Sequence, residues 1–439
     1  MWSTGLVNQY RYQRSLVGAR RRMPFRHSVW DINEDKPNAP VDYLLLFIIV
    51  TLVLFGLVII YAATYHLGFR YLKLQAGKAL LGFLALWLGS ILNTNRLAQR
   101  KVRWFFLIFI VIILIATLIF GEVVGVAKRV LQGFQPAEIA KFILILWLAG
   151  YFAQLREYKP NAGFVDSIVK PGLVVGGVIS LTLLQPAIGT SFIIALSSFI
   201  IFILAGVKWR YLFLVGLFTT LAILVGLLVV IPGLKKTQYR YIPDRLEKFR
   251  NGDRYQQVQA LIALGSGGPL GRGLGEGRQK YYFLPKLHKD FIFCSIGEEF
   301  GFFGCLVIMG LYLLFLIRCL RIGQQAPSDF GYLLTSGIAT TIFLYAVVHQ
   351  AVALSVIPTT GQPLPFISYG GSALLANLFA AGMVLKVSRY RTFRPFVGTD
   401  SRFGRNGIGE NFIGATWSKG FNGGGWNRWA YFPRARSRS

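Results

Sequence analysis

The chain is patterned in long apolar blocks rather than in short alternations. Tyr43 to Tyr65 runs 23 residues without a charge, Tyr211 to Ile231 runs 21, and Phe330 to Ile357 runs 28. About 20 apolar residues cross the hydrocarbon core of a bilayer as a helix. By that criterion the sequence predicts spanning helices over 43–65, 74–92, 104–120, 137–155, 169–185, 187–206, 211–231, 289–317, 330–357 and 372–387. The expected fold is an all-α polytopic membrane protein with about ten transmembrane helices. One long apolar stretch counts as two crossings because Gln185-Pro186 interrupts it, and proline ends or kinks a helix. An even count returns both termini to the same side.

Composition agrees. Apolar residues make up 54% of the 439 and charged residues only 15%, against about a quarter in ordinary globular domains. The net charge of +29 raises the question of a nucleic-acid partner, but its distribution argues against one. Residues 1–40 carry seven Lys/Arg against three Asp/Glu, residues 387–439 carry ten against two, and Asn93 to Arg103 holds Arg96, Arg100, Lys101 and Arg103. All fall on one side of the membrane if the N-terminus is cytoplasmic, as the positive-inside rule expects. The first 40 residues lack the apolar core of a cleavable signal peptide. Cys294, Cys305 and Cys319 sit in one apolar block, too far apart along a helix to bridge, and read as inert thiols.

Three parts follow from this reading: a basic cytoplasmic segment over 1–40, a ten-helix membrane domain over 41–390, and a Gly-, Arg- and aromatic-rich tail over 391–439. The tail shows too little periodicity for a fold and is expected to be disordered, in contact with anionic headgroups. Within the membrane domain, 232–288 is the long extracytoplasmic loop. It carries eleven Lys/Arg and four Asp/Glu, on the side where positive charge is normally scarce. Either a loop this long escapes the charge rule, or it faces an anionic substrate. A second loop, Pro358 to Gly371, is rich in Pro and Gly yet apolar. Such backbone is tolerated near a membrane where protein buries it or a cavity needs it.

Three clusters carry candidate chemistry. Residues 265–277, GSGGPLGRGLGEG, hold seven glycines in thirteen. Backbone N–H groups of such a string can cradle an anion, and Arg272, Arg278 and Lys280 extend the idea to a diphosphate; a plain flexible loop is the alternative. Asp290 stands where the polar loop enters a spanning helix, with Glu298 and Glu299 two turns deeper. Carboxylates at membrane depth face a partner or a wet cavity. Over a continuous helix the eight residues between Asp290 and Glu298 span about 12 Å and turn about 80°, so both could line one cavity. The alternative is that the Glu pair makes structural ion pairs. Finally, Lys128-Arg129 precede Gln135-Pro136-Ala137-Glu138, in which Pro136 suits a helix start, and Glu138 and Lys141 are spaced to pair.

These strings carry a resemblance. Asp290 to Gly301 (DFIFCSIGEEFG), Pro358 to Ser372 (PTTGQPLPFISYGGS), Gln135-Pro-Ala-Glu138 with Lys141, and Gln185-Pro186 with Gly189-Thr190 resemble, in order and spacing, the shape, elongation, division and sporulation family. The likeness covers about residues 43–390. It implies a ten-helix peptidoglycan glycosyltransferase that polymerises lipid II with a class B penicillin-binding protein as partner, in the bacterial inner membrane. It implies Asp290 as catalytic base and candidate ligand of a divalent cation, magnesium or manganese. Substrate-binding candidates are Lys128, Arg129, Glu138, Lys141, Arg272, Arg278, Lys280, His288, Glu298 and Ser368, with Arg245 and Lys286 as further cations.

The chain also departs from the family pattern. Pro285-Lys286-Leu287-His288-Lys289-Asp290 stands where Pro-Glu-x-His-Thr-Asp is usual, Ala187 replaces an Asp, His349-Gln350-Ala351 replaces Asn-x-Gly, and Val130 replaces a Trp. The missing acids weaken any metal site. Two alternatives stay open: a flippase or transporter of lipid-linked precursors, and a noncatalytic scaffold for the partner synthase. The string around Ser368 to Asn377, with Thr360, leans toward elongation-type members.

Overall fold

The computed structural model describes residue 37 and residues 39–390, apart from 125–126, 131–133, 160, 186, 215, 217–254, 282–283 and 285–286. The predicted helix over 211–231 lies almost wholly outside the described residues, as do residues 1–36, 391–439 and the start of the predicted loop, 232–254. Among the described residues the helices are, in chain order, α1 (Tyr43–Thr64), α2 (Arg70–Ile91), the short α3 (Thr94–Ala98), α4 (Arg100–Phe120), α5 (Ala137–Tyr158), α6 (Lys170–Leu184), α7 (Ile188–Leu204), α8 (Tyr255–Ser266), the single turn α9 (Leu287–Asp290), α10 (Ile292–Gln324), α11 (Asp329–Ala353) and α12 (Gly371–Ser388). Eight of these, α6 together with its preceding turn, are long and apolar enough to cross a membrane; α7 is apolar but shorter. The chain is a multi-pass membrane protein.

In lipid there is little hydrophobic drive between helices, so small residues that allow close approach matter most. The tightest pair is α2 against α12. A methyl group added at Gly89 would strike the Phe379 carbonyl, and one added at Gly382 would strike that of Leu86. α5, α11 and α12 are buried along most of their length, whereas α2 and α4 turn most of theirs outward. Asp42 caps α1 through the Leu45 N–H at 3.0 Å, and its carboxylate also holds Arg318 of α10 at 2.8 Å. The chain's entry into the bundle is thereby fixed to the far end of α10.

Five details differ from the sequence reading. α2 starts at Arg70 rather than 74, and α11 ends at Ala353 rather than 357, where Ser355 turns to φ 57° ahead of Pro358. Arg103, expected in a polar connection, lies inside α4 with its side chain buried over Gly150 and donating to the Trp147 carbonyl at 3.2 Å. The predicted loop 232–288 contains a helix, α8, packed on α10. A two-stranded antiparallel hairpin, β1 (Glu122–Val124) and β2 (Ala127–Val130), joins α4 toward α5.

Candidate active site

Asp290 closes α9, and the chain breaks at Phe291 (φ −132°) before α10 begins. The expected continuous helix from Asp290 to Glu298 is therefore absent, and the two carboxylates have different surroundings. Asp290 is half-buried, and its Oδ1 is buried with no hydrogen-bond partner among the described residues. Its charge lies within electrostatic reach of His288 and His349.

Glu298 and Glu299 face the glycine string instead. The Arg278 N–H donates to Glu298 Oε1 at 2.6 Å and the Gln279 N–H to Oε2 at 3.3 Å. The Gly275 N–H donates to Glu299 Oε2 at 3.1 Å. Gly301, at φ 68°, kinks α10 in a conformation that favours glycine. The kink frees the carbonyls of Glu298 and Glu299, which accept the N–H groups of Arg272 at 3.0 Å and Gly273 at 3.1 Å. At these positions the string is thus neither a flexible loop nor an open anion cradle; its amides are spent on α10. Lys280 is buried, 3.7 Å from Glu299 Oε1, and donates to the carbonyls of Ala62 (3.1 Å) and Gly275. Arg272 and Arg278 keep exposed side chains, with the Arg272 Nε on the Ser266 carbonyl at 3.1 Å.

The Pro-rich turn supports Asp290 from the other side. The Tyr369 N–H donates to the His288 carbonyl at 3.0 Å, tying the turn to α9. The rings of His288, Tyr71 and Tyr369 form a triangle with centroids 5.0 to 5.5 Å apart, and Lys78 stands 3.9 Å over Tyr369. Burial lowers the pKa of His288 from its ordinary value. Ser368 is turned inward: its hydroxyl accepts the Leu364 N–H at 2.8 Å, and its carbonyl accepts from Gln75 at 3.4 Å. Phe366 is held at φ 66°, rare for an aromatic residue, buried 5.9 Å from the ring of Phe315. Behind the turn, the Gln362 carbonyl lies 2.9 Å from His349 Nδ1, which fixes the proton there and leaves Nε2 as an acceptor.

Glu138 and Lys141 pair as their spacing predicts, at 2.7 Å and almost wholly buried, with the ammonium 3.7 Å over the Tyr345 ring. The backbone of Lys128 and Arg129 lies in β2; their side chains, like Lys286 and Arg245, fall outside the described residues. The structure thus groups His288 with Asp290, and Glu298 with the backbones of Arg278 and Gln279. Among the described residues no three His, Cys, Asp or Glu side chains converge to hold a metal ion. Among the described residues the protein donors by themselves do not complete a divalent-cation site. Sequence reasoning missed Tyr71, Gln75 and Lys78. Their i, i+4, i+7 spacing on α2 is the signal that could have found them.

A half-buried carboxylate on a helical turn that is tied to a Pro-rich turn, inside a multi-pass helical bundle, defines a class of membrane protein, and the comparisons give the family. Residues 42–393 match the cell cycle protein family of FtsW, RodA and SpoVE, and the chain belongs to it. It is 35% identical over 387 residues to a protein of Trichlorobacter lovleyi named probable peptidoglycan glycosyltransferase FtsW, covering 83% of this chain and 97% of that one. Among solved structures it resembles a chain from a study of the structural coordination of polymerization and crosslinking by a peptidoglycan synthase complex. There the TM-score is 0.66 and the identity 30%, over 80% of this chain and 99% of that one. It also resembles the rod shape determining protein RodA of Thermus thermophilus, with TM-score 0.60 and 29% identity over 81% and 98% of the two chains. These relatives carry both division and rod-shape names, so the lean toward the elongation type is not decided by them.

Proposed function

We propose that the chain is a peptidoglycan glycosyltransferase of the bacterial inner membrane that polymerises lipid II. Both termini are then cytoplasmic, and a class B penicillin-binding protein is the partner. Family membership supports the reaction class. The observation that carries the site is the buried, unpartnered Oδ1 of Asp290. An orphaned acceptor is costly to keep, and such groups mark functional positions when structure does not use them.

In this reaction the acceptor hydroxyl oxygen attacks the anomeric carbon of a second lipid-linked disaccharide. The new C–O bond forms as the bond to the diphosphate breaks, and undecaprenyl diphosphate leaves with the electron pair. Asp290 takes the hydroxyl proton, and the tie from Tyr369 to His288 holds α9 in place while it does so. The exposed Arg272 and Arg278, with Lys128 and Arg129, offset the charge of the departing diphosphate.

Purified protein incubated with labelled lipid II tests this. Polymer is expected, and Asp290→Asn should lower its formation by about 10²-fold or more with normal accumulation in the membrane. Translocation without polymer would point to a flippase, and neither activity to a scaffold. A correctly inserted Asp290→Asn protein with wild-type turnover would remove Asp290 from the mechanism.

A further inference from the structure

The helix α8 sits in a segment whose sequence reads as a polar loop, yet YQQVQALIALGS contains no charge. At about 100° per residue its side chains fall into three sectors. Gln257, Ala260 and Ala263 are buried against the bundle; Gln259 lies on a polar flank, and Gln256, exposed in the first turn, shares the bundle-side sector. The third sector, about 120° wide, carries Tyr255, Val258, Leu261 and Ile262, with the last three 48%, 45% and 47% exposed. Leu270, 79% exposed, and the exposed Leu274 follow in the glycine string.

The placement of α8 indicates what covers that face. Its C-terminal end and the string pack on residues 297–303 of α10, around the Gly301 kink. Beyond the kink, Phe302 to Ile317 is an uncharged stretch of about 24 Å before Arg318, most of a hydrocarbon core of about 30 Å. The kink therefore lies near the membrane boundary. The exposed Phe302, Phe303 and Leu306 begin the lipid-facing band just past it, and the apolar sector of α8 continues that band. Arg272, exposed and bonded through Nε to the Ser266 carbonyl at the end of α8, stands at its edge, and Arg278 follows, exposed, in the same segment. An uncharged apolar face with basic residues at its edge is the pattern of a helix lying in the interface.

We propose that α8, with Leu270 and Leu274, is an interfacial anchor whose occupant is the acyl chains of the bilayer leaflet at the Asp290 end of the bundle. Through the string it would set the depth of Glu298, Glu299 and α9 relative to the headgroups. The proposal rests on the chain spanning a membrane and is independent of the reaction it catalyses.

The test places a nitroxide at Leu261→Cys, and separately at Val258→Cys, Gln256→Cys and Glu276→Cys, in the full chain with Cys305→Ala, reconstituted in phosphatidylglycerol-containing vesicles. Cys294 and Cys319 are buried. At 258 and 261 collisions with oxygen should exceed those with a water-soluble nickel complex, giving a ratio several-fold above that at 256 and 276. Nickel accessibility at 261 equal to that at 256 would place the face in water and overturn the anchor. Low accessibility to both reagents at 258 and 261 would show a protein covering, a second copy or a partner, and would overturn it equally. If Leu261→Cys fails to accumulate, Val258→Cys decides between the same outcomes.

Discussion

Glu298→Gln distinguishes a carboxylate that holds the fold from one that touches substrate. The substitution keeps the shape of the side chain. In the wild type one carboxylate accepts two backbone N–H groups, at 2.6 Å from Arg278 and 3.3 Å from Gln279. An amide has one acceptor, so the second N–H would meet an NH2, donor against donor. The retained bond loses its charge assistance, about 1 kcal/mol, and the stranded N–H costs about 1–3 kcal/mol. The sum is about 2–4 kcal/mol. At roughly 2 °C per kcal/mol for a large domain, the melting temperature should fall by about 4–8 °C. Unfolding of a membrane protein is commonly irreversible, so both proteins should be compared at one heating rate, by the fraction left monodisperse in detergent. Turnover per surviving molecule should stay near wild type, because both oxygens are committed to the backbone of the string. A protein with wild-type melting and strongly reduced turnover would refute this and return Glu298 to the substrate.

Two further substitutions probe the bundle. Lys141→Met strands the Glu138 carboxylate, which is almost wholly buried, and should cost about 3–5 kcal/mol; lost membrane accumulation, recovered in Glu138→Gln/Lys141→Met, is the expected result, and a stable single variant lacking only activity would contradict a structural role. Gly89→Ala pushes a methyl into the Phe379 carbonyl and should lower thermal stability in the same heating assay by about 1–3 kcal/mol, as overpacking does; unchanged stability would show that α2 and α12 can separate without loss.

Much of the fold is legible in the sequence because lipid imposes one rule, long apolar runs as helices. Nine of the ten predicted crossings correspond to helices among the described residues, and the tenth falls outside them. The misses have physical causes. Helix α8 is short and rich in Gln, and hydropathy over a spanning window averages it into the basic residues before it. Arg103 looks like a loop residue by charge alone, yet its long stem lets the guanidinium reach the Trp147 carbonyl from inside α4. The helical offset from Asp290 to Glu298 failed because Phe291 leaves the helical region, and no sequence signal at Asp290-Phe291-Ile292 announces that break.

The glycine string shows why the site was less legible than the fold. Seven glycines beside three cations offer N–H groups to any anion, and the sequence cannot say whether that anion is a ligand or the protein's own carboxylate. Here the anions are Glu298 and Glu299, about 20 residues further on, and they take the amides of Gly275, Arg278 and Gln279. Lys280 is drawn inward by the same pair and by the Ala62 carbonyl. Ser368 is spent on the turn, and Glu138 and Lys141 on each other. Among the described candidates, Asp290 Oδ1 has no internal hydrogen-bond partner, His288 makes ring contacts, Arg278 keeps an exposed side chain, and Arg272 is exposed but anchored through Nε on the Ser266 carbonyl. In the proposed reaction Asp290 takes the hydroxyl proton and the two arginines offset the charge of the departing diphosphate. The surrounding carboxylates and glycines act as the frame that holds that end of the bundle around them.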